Sequence, residues 1–581
     1  MKLFSSPIFR VIFPSLAVLL ALRLAFWLIT FPNSDEAYYW LWGQHPAFSY
    51  YDHPPFHAWI QGLFTNIFGR SNFTLRLPNL ISNSLLIYTY YRITRRLYGP
   101  NATHAFWLVV ILVLSSPLYF LFLALAWHDH WLITLSLISA HLFITFLDGY
   151  QQNRQGSSWR LYAAAIALGL AGLCKYIAVF MALGFTATIL SDKSLRPLLR
   201  DRRLYWAGAI AASTLLPILI WNYANDFQSF QFYFDRSLNS SGANGFHLNP
   251  IQPLGFLLLS ILIFSPFNSW AIFQVIKRKP QSAFPSLYRK VALWIFALST
   301  GTLTAISLLS TANYYWNILA YPLLFPLAPT VFLRNLEEVG KPEDRSQKSG
   351  DWRQKQRETT VSQPASQPKS KIQNPPTHPP IHPSTHPPIH PSTHPPSSRL
   401  LLHTQLYGLL IATILVIHYS LLPLSALFSD AGDLDTRMLF GWSQVAAKIE
   451  EKSADLRDEP LLFTTDYRSA SALAYQLNNP TVMALSSRID QFDFWYDQNQ
   501  FQGKTALILG DDWHPICPEL LSQFEQTSPL ETISVTRFGV WIKNYYLLIG
   551  SGFNAGPDDQ FPLSKNYPLT YSQDGETCLK K

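Results

Sequence analysis

Long apolar runs separated by short polar turns recur along the first 330 positions and once more past position 400. A membrane-crossing helix needs about 20 consecutive, mostly apolar residues. The runs predict spans at 11–31, 77–93, 104–125, 131–147, 160–174, 176–191, 204–221, 251–274, 291–310, 313–333 and 400–423. The short pieces at 160–174 and 176–191 read as two tilted helices or one broken one, so the count is about eleven spans. Lys2 and Arg10 ahead of the first run suggest a signal peptide at first glance. The run is too long for one, and no small-residue cleavage site follows before Asp35, so it reads as a retained span.

The periodicity changes twice after position 334. Residues 335–399 are polar and pass into a tandem octapeptide, THPPIHPS, repeated and followed by THPP. Proline at this density forbids a helix and nothing there builds a core, so a disordered cytoplasmic Pro/His-rich linker is expected. Its histidines His378, His382, His386, His390 and His394 raise a metal-binding alternative, set below the linker reading. From 424 to 581 the composition is that of a soluble domain. PLLFTTD and KTALILGDD read as short buried strands, while RSASALAYQL and the run 435–456 have helical spacing. The fold class is therefore a mostly α, polytopic membrane protein with a C-terminal extracytoplasmic α/β domain. Its parts are a transmembrane core over 1–334 with outward loops 32–76 and 222–250, the linker 335–399, a last transmembrane helix at 400–423 and the soluble domain 424–581.

Composition sharpens this picture in one respect. Only 14% of the 581 residues are charged and 15% are aromatic, against roughly 25% charged in ordinary soluble domains. The formal net charge of +8 could suggest a polyanion partner. The cations instead cluster at the ends of apolar runs: Arg92, Arg95 and Arg96; Arg154 and Arg160; Lys193, Arg196, Arg200, Arg202 and Arg203; Lys277, Arg278, Lys279, Arg289 and Lys290. The opposite loops carry only Arg70, Arg76, Lys175 and Arg236. That asymmetry is the positive-inside signature, which sets the N-terminus and the first group in the cytoplasm and excludes nucleic acid as the partner. An odd number of spans then places the soluble domain outside, where Cys517 and Cys578 could pair; Cys174 lies in an apolar run.

Candidate chemistry gathers on the outward side. NSDEAYYWLWGQ puts Asp35 and Glu36 side by side where the first span ends, and FSYYDHPPFHAWI follows with Asp52 and His53. The stretch 55–68 has Phe56, Trp59, Ile60, Leu63, Phe64 and Ile67 at helical spacing, as in a helix lying in the membrane interface. A helix-end charge pair is the plain alternative for Asp35 and Glu36. In ALAWHDHWLITL, Asp129 stands between His128 and His130 directly before a span, either as an N-cap or beside a His-x-His metal site lacking a third ligand. Lys175 in GLAGLCKYIAVF is flanked by apolar residues, and a charge there either faces a cavity or snorkels to the surface. Arg23 is a second costly charge, within the first span. A carboxylate acting as general base and cations neutralising a phosphate leaving group would suit a reaction on a lipid-linked phosphate.

The order SDEAYYW, YYDHPPFHAWI, Arg76-Leu-Pro, Asp129 before a span and GLAGLCKY resembles glycosyltransferase family 39, the protein O-mannosyltransferases and aminoarabinose lipid A transferases, within the GT-C membrane glycosyltransferase fold. LLPILIWNYANDFQSFQFYFDR and the DQFDFW block, Asp490 to Trp495, resemble bacterial members, and the likeness spans nearly the whole chain outside 335–399. The resemblance implies a transferase that moves a sugar from a polyprenyl-phosphate donor to a lipid, glycan or protein acceptor on the outer face of a plasma membrane. It implies Asp35 as catalytic carboxylate with Glu36 beside it, and Asp129 as the supporting acid. It implies His53, Arg76 and Lys175 at the donor phosphate. No cofactor is required by it, a divalent metal is left open with His128 and His130 as candidates, and the partners are the donor, the acceptor and membrane lipids. Tyr38 stands where the aminoarabinose transferases carry an arginine, and their span count is near thirteen, so their substrate specificity is not carried over. A transporter or flippase for a lipid-linked sugar is the alternative, and a non-catalytic envelope scaffold a further one; neither an internal repeat nor a mid-membrane charge set supports transport.

Overall fold

A computed structural model describes residues 7–238, 249–277, 283–310, 312–332, 396–429, 432–486, 488–496 and 498–554. The octapeptide repeats with their histidines, most of the linker and Cys578 lie outside the described residues. Among those described, four helices are long and apolar enough to cross a membrane: Ile12–Ile29, the stretch Asn72–Leu114, His128–Asn153 and Arg399–Ser420. Two bent pairs bring the number up to six: Arg202–Ser213 with Leu216–Ala224, bent by 45°, and Ile251–Phe264 with Pro266–Lys277, bent by 100°. Several remaining apolar runs are shorter or broken helices packed among these.

The breaks have local causes. The run 104–125 divides into Ala102–Leu114 and Pro117–Phe122 at Ser115 and Ser116, because Pro117 has no amide hydrogen and favours a first helical turn. The run 313–333, expected as a span, folds instead as 3₁₀ turns and one short helix, Pro329–Phe332. Pro322, Pro326 and Pro329 interrupt any continuous helix there. Carbonyls freed at this depth need partners inside the protein, and tyrosines supply them. Tyr119 donates its hydroxyl to Ile318 O at 2.5 Å, Tyr90 to Pro322 O at 3.1 Å and Tyr98 to Pro326 O at 2.7 Å. Arg23 has the same work at the other break. It donates to Tyr119 O and Phe120 O at 3.2 and 2.9 Å, while Asn79 donates to Leu123 O, Ala124 O and Leu125 O.

The two ends of the helical core differ in charge. Helix His128–Asn153 carries Asp129 at its start and Asp148 near its end, roughly 28 Å apart at 1.5 Å per residue. Around Asp148 gather the cations read as cytoplasmic: Arg96 on Asp148, Lys290 on Asp192 at 2.6 Å, and Arg154 on Ser194 O at 2.5 Å. Around Asp129 gather the loop 32–76, Lys175 and the C-terminal domain.

That domain is built on a six-stranded sheet of order β2-β1-β3-β6-β4, with β5 also pairing β6. Its strands are β1 (Leu461–Thr464), β2 (Met483–Ala484), β3 (Ala506–Asp511), β4 (Phe524–Thr527), β5 (Glu531–Arg537) and β6 (Val540–Phe553). β1 runs parallel to β2 and β3, and β6 is antiparallel to its three neighbours. Alternation along fully buried β3 sorts its side chains. Ala506 and Ile508 meet Phe524 and Phe553 on one face. Leu507 and Leu509 point to the other, toward helices Trp442–Ala454 and Tyr467–Leu477. The run 435–456 is thus two helices, Leu434–Arg437 and Trp442–Ala454, divided at Gly441, whose φ of 92° suits glycine.

The second face of the sheet shares its core with the loop 32–76. Tyr38, Trp40, Trp42 and Tyr50 belong to one cluster with Trp442, Leu473, Leu507 and Tyr545. The loop itself is two helices, Ser34–Gln44 and Phe56–Phe68, crossing backbone to backbone at Gly43 and Gly62. A Cβ on Gly62 would lie 2.3 Å from Gly43 O. Helix Phe56–Phe68 buries His57, Gln61 and Thr65 and leaves Leu63, Ile67 and Phe68 exposed, the orientation expected of a helix whose apolar side meets lipid.

Candidate functional site

Asp35 and Glu36 open helix Ser34–Gln44, where acidic residues complement the positive end of the dipole. One residue apart on a helix, they point in different directions and meet different fates. Glu36 closes a capping box with Asn33, accepts Ala126 N at 2.7 Å, and pairs with Arg76 through contacts of 2.8 and 2.7 Å. Arg76 also donates to Phe26 O, Trp27 O and Thr30 O, and both side chains are 0% exposed. The family resemblance implies Arg76 at the donor phosphate and Glu36 beside the catalytic acid. With each guanidinium nitrogen engaged and no exposed surface, Arg76 is a structural tie, and Glu36 ties the loop 32–76 to the turn before helix His128–Asn153.

Asp35 stays partly exposed, and its carboxylate makes no hydrogen bond or ion pair among the described residues. Burial pushes its pKa up to about 6; the charges of Asp435 and Asp52 add to the shift, and Arg468 and Arg488 oppose it. A free carboxylate with that pKa is ionised at neutral pH yet basic enough to take a proton.

A second charged group lies beside helix Ser34–Gln44, within reach of Tyr39. Lys175 Nζ contacts both oxygens of Asp129, at 3.1 and 3.2 Å, and lies 5.2 Å over the Tyr315 ring. An ammonium has three donors, so one remains beyond those directed at Asp129. Burial first, then the charges of Asp35 and Asp129, hold the Tyr39 hydroxyl well above its usual pKa, and its ring lies 5.2 Å from that of His128, the neighbour of Asp129.

The histidines close this side. His53 has its ring 4.4 Å from that of His128 and 6.0 Å from that of Tyr39, with Nδ1 2.6 Å from the Tyr233 hydroxyl. His128 Nε2 is 3.4 Å from Asp129 Oδ2, whereas His130 turns to Ser82 Oγ at 2.6 Å. His128 and His130 therefore do not converge on one point. Among the described residues no group of three or more His, Cys, Asp and Glu side chains is set to hold a metal. Burial lowers His57 to about 4, so its neutral ring donates Nε2–H to Ala126 O at 2.6 Å.

The C-terminal domain roofs the site. Asp52 accepts the Tyr38 hydroxyl at 2.9 Å and pairs with Arg488. Tyr38, in the position where an arginine was expected from the resemblance, also accepts Gln491 N at 2.8 Å. The DQFDFW block is a docking element: Asp490 and Asp493 cap a 3₁₀ turn that presents Phe492 to Tyr38 and Phe494 to Tyr51 and Trp221. Tyr39, Tyr233, Tyr315, Arg468 and Arg488 border the site without having been singled out from sequence. Their aromatic or basic character is common along this chain, and only the fold brings them beside Asp35 and Asp129.

Residues 52–221 match the family described as dolichyl-phosphate-mannose-protein mannosyltransferase. The chain is similar to the lipid A galacturonosyltransferase RgtD of Rhizobium johnstonii, 23% identical over 332 residues, covering 53% of this chain and 63% of that protein. The match thus spans under two thirds of that relative's length. Among solved structures, ArnT from Cupriavidus metallidurans in the apo state aligns with a TM-score of 0.53 at 14% identity, covering 92% of this chain and 97% of that one. The same protein bound to undecaprenyl phosphate gives 0.53 at 15% identity over the same shares. At such identities the likeness establishes the fold. The membrane core has the GT-C architecture, and the resemblance to glycosyltransferase family 39 read from the motifs holds.

Proposed function

We propose that this protein is an integral-membrane glycosyltransferase that moves a sugar from a polyprenyl-phosphate-linked donor to a lipid, glycan or protein acceptor on the outer face of the membrane. The observation that carries this reading is the unpartnered Asp35 carboxylate, with its pKa near 6, one helical turn before Tyr39, whose ring packs beside His128 next to the Lys175–Asp129 pair. An acceptor hydroxyl or amine attacks the anomeric carbon, the bond from that carbon to the phosphate oxygen breaks, and the acceptor proton passes to Asp35. The polyprenyl phosphate leaves with the bonding pair, and the remaining donor of Lys175 meets the added negative charge. A single displacement inverts the anomeric centre.

In this scheme Asp129 positions Lys175, His53 and Tyr233 border the phosphate, and Glu36 with Arg76 fixes the spacing of the two loops. Lys175 supplies the cation, so the scheme has no cofactor. The matched family and RgtD are both named as glycosyltransferases, and the ArnT complex holds undecaprenyl phosphate, which supports a donor of that chemical class. Comparative profiling of glycolipids and glycoproteins tests the reading, in cells with the wild-type protein, Asp35→Asn or no protein. One sugar-modified species is expected to vanish in both altered strains at unchanged protein level. An Asp35→Asn strain that matches wild type while the deletion does not would remove catalysis from this site.

A further inference from the structure

The buried and half-buried arginines around the site are nearly all spoken for. Arg23 and Arg76 are engaged on carbonyls and on Glu36, Arg437 donates to Ile542 O at 2.8 Å, and Arg488 pairs with Asp52. Arg468 differs. Its backbone amide donates to the N-cap Asp466 at 2.9 Å, but its guanidinium makes no hydrogen bond or ion pair among the described residues. The guanidinium lies 5.1 Å over the Tyr467 ring.

Its place is set by rigid elements. Arg468 lies in the first turn of helix Tyr467–Leu477, which docks on helix Ser34–Gln44 through Tyr467 on Tyr38, 4.8 Å between rings, and Tyr475 on Trp40, 5.3 Å. The same docking brings Asp35 and Arg468 within reach of each other's charge while leaving them unbonded. Burial disfavours the charge on Arg468, yet the negative charge of its surroundings, Asp466, Asp435 and Asp35 included, keeps it firmly protonated. A carboxylate and a guanidinium that feel each other's charge, yet bond neither to each other nor to another described side chain, are both available to a third group. A planar fork of five donors fits a phosphate or carboxylate two oxygens at a time.

We infer that Arg468, supplied by the C-terminal domain, is a substrate-binding residue that holds an anionic oxygen group, phosphate or carboxylate, of a substrate seated against Asp35. The inference rests on the transferase reading above. The anion belongs either to the donor phosphate or to the acceptor, and the test separates the two.

Full-length wild type, Arg468→Gln, Arg468→Lys and Asp35→Asn are compared in a deletion strain for the sugar-modified product. The purified proteins in detergent are titrated with undecaprenyl phosphate, followed by tryptophan fluorescence. At matched abundance and unfolding temperature, Arg468→Gln is expected to lower product about 10- to 100-fold, with partial recovery in Arg468→Lys. Weakened binding of undecaprenyl phosphate by a similar factor assigns the anion to the donor. Unchanged binding with lost product assigns it to the acceptor. Wild-type product and binding in Arg468→Gln, together with wild-type product in Asp35→Asn, would sink the transferase reading itself. The same result with product abolished in Asp35→Asn overturns only the role of Arg468.

Discussion

Asp35 and Glu36 show how little adjacency in sequence says about role. Both carboxylates were visible in the motif, and both were grouped with the chemistry, because a pattern of letters does not tell which side of a helix faces a buried arginine. In the fold Glu36 is spent on Arg76, Asn33 and Ala126, and Asp35 alone stays available. As a base, Asp35 must be ionised, so turnover is expected to fall as the pH drops through about 6; a pH–rate profile of the purified enzyme checks this. The same raised pKa means that the folded state penalises the charged carboxylate. The penalty is complete above about 6, fades below it and disappears under the ordinary carboxylate value of 3.8. Asp35→Asn should therefore raise the unfolding temperature at pH 7.5, with a gain that shrinks toward pH 5. Arg76→Ala should do the opposite, because it strands a buried Glu36. A loss of about 3–5 kcal/mol is expected, read as lower thermal stability and membrane abundance. Arg76→Met with Glu36→Gln should cost less than the two single changes added together.

At the scale of elements, the hydrophobic runs located the helical segments well and their interruptions poorly. The runs at 11–31, 131–147 and 400–423 fall on helices Pro7–Ile29, His128–Asn153 and Pro396–Ser420. Average hydropathy cannot report a break whose carbonyls are capped from elsewhere, and 313–333 is such a case: it is apolar throughout, yet unwound onto the hydroxyls of Tyr90, Tyr98 and Tyr119. The strands at 461–464 and 506–511 were legible from their short buried runs between turn signals. The crossing of helices Ser34–Gln44 and Phe56–Phe68 was not, since nothing in a sequence pairs Gly43 with Gly62. With backbone at 2.3–2.9 Å from the position of a new Cβ, neither helix can yield by turning a side chain. Gly62→Ala is expected to lower abundance and product together, whereas Gly208→Ala, with nothing within 4 Å of its Cβ, should leave both unchanged. Quantitative immunoblotting of membranes alongside the product assay separates the two outcomes.

For the whole molecule, the presence of an appended α/β domain was readable from the change in periodicity. The joint between the parts was not. A core shared by Trp40, Trp42, Trp442 and Leu507 joins residues 400 or more positions apart in sequence, and such pairings leave no local signal. One expectation follows for the isolated domain. A fragment over 432–554 would uncover Trp442, which rests on Phe31, and Tyr467 and Phe492, which rest on Tyr38, in the intact chain. It should show fast hydrogen exchange in helix Tyr467–Leu477, and the exchange should slow in the full-length protein.

The shared core also limits how such a protein can be recombined. A boundary drawn at the last transmembrane helix looks natural on a linear map, but it would cut through packed side chains rather than around them. A hybrid that takes its C-terminal domain from a relative would inherit mismatched aromatic surfaces unless residues 31–50 travelled with it. The portable unit is discontinuous, one piece near each end of the chain, and substitutions in either piece are constrained to change in step with the other.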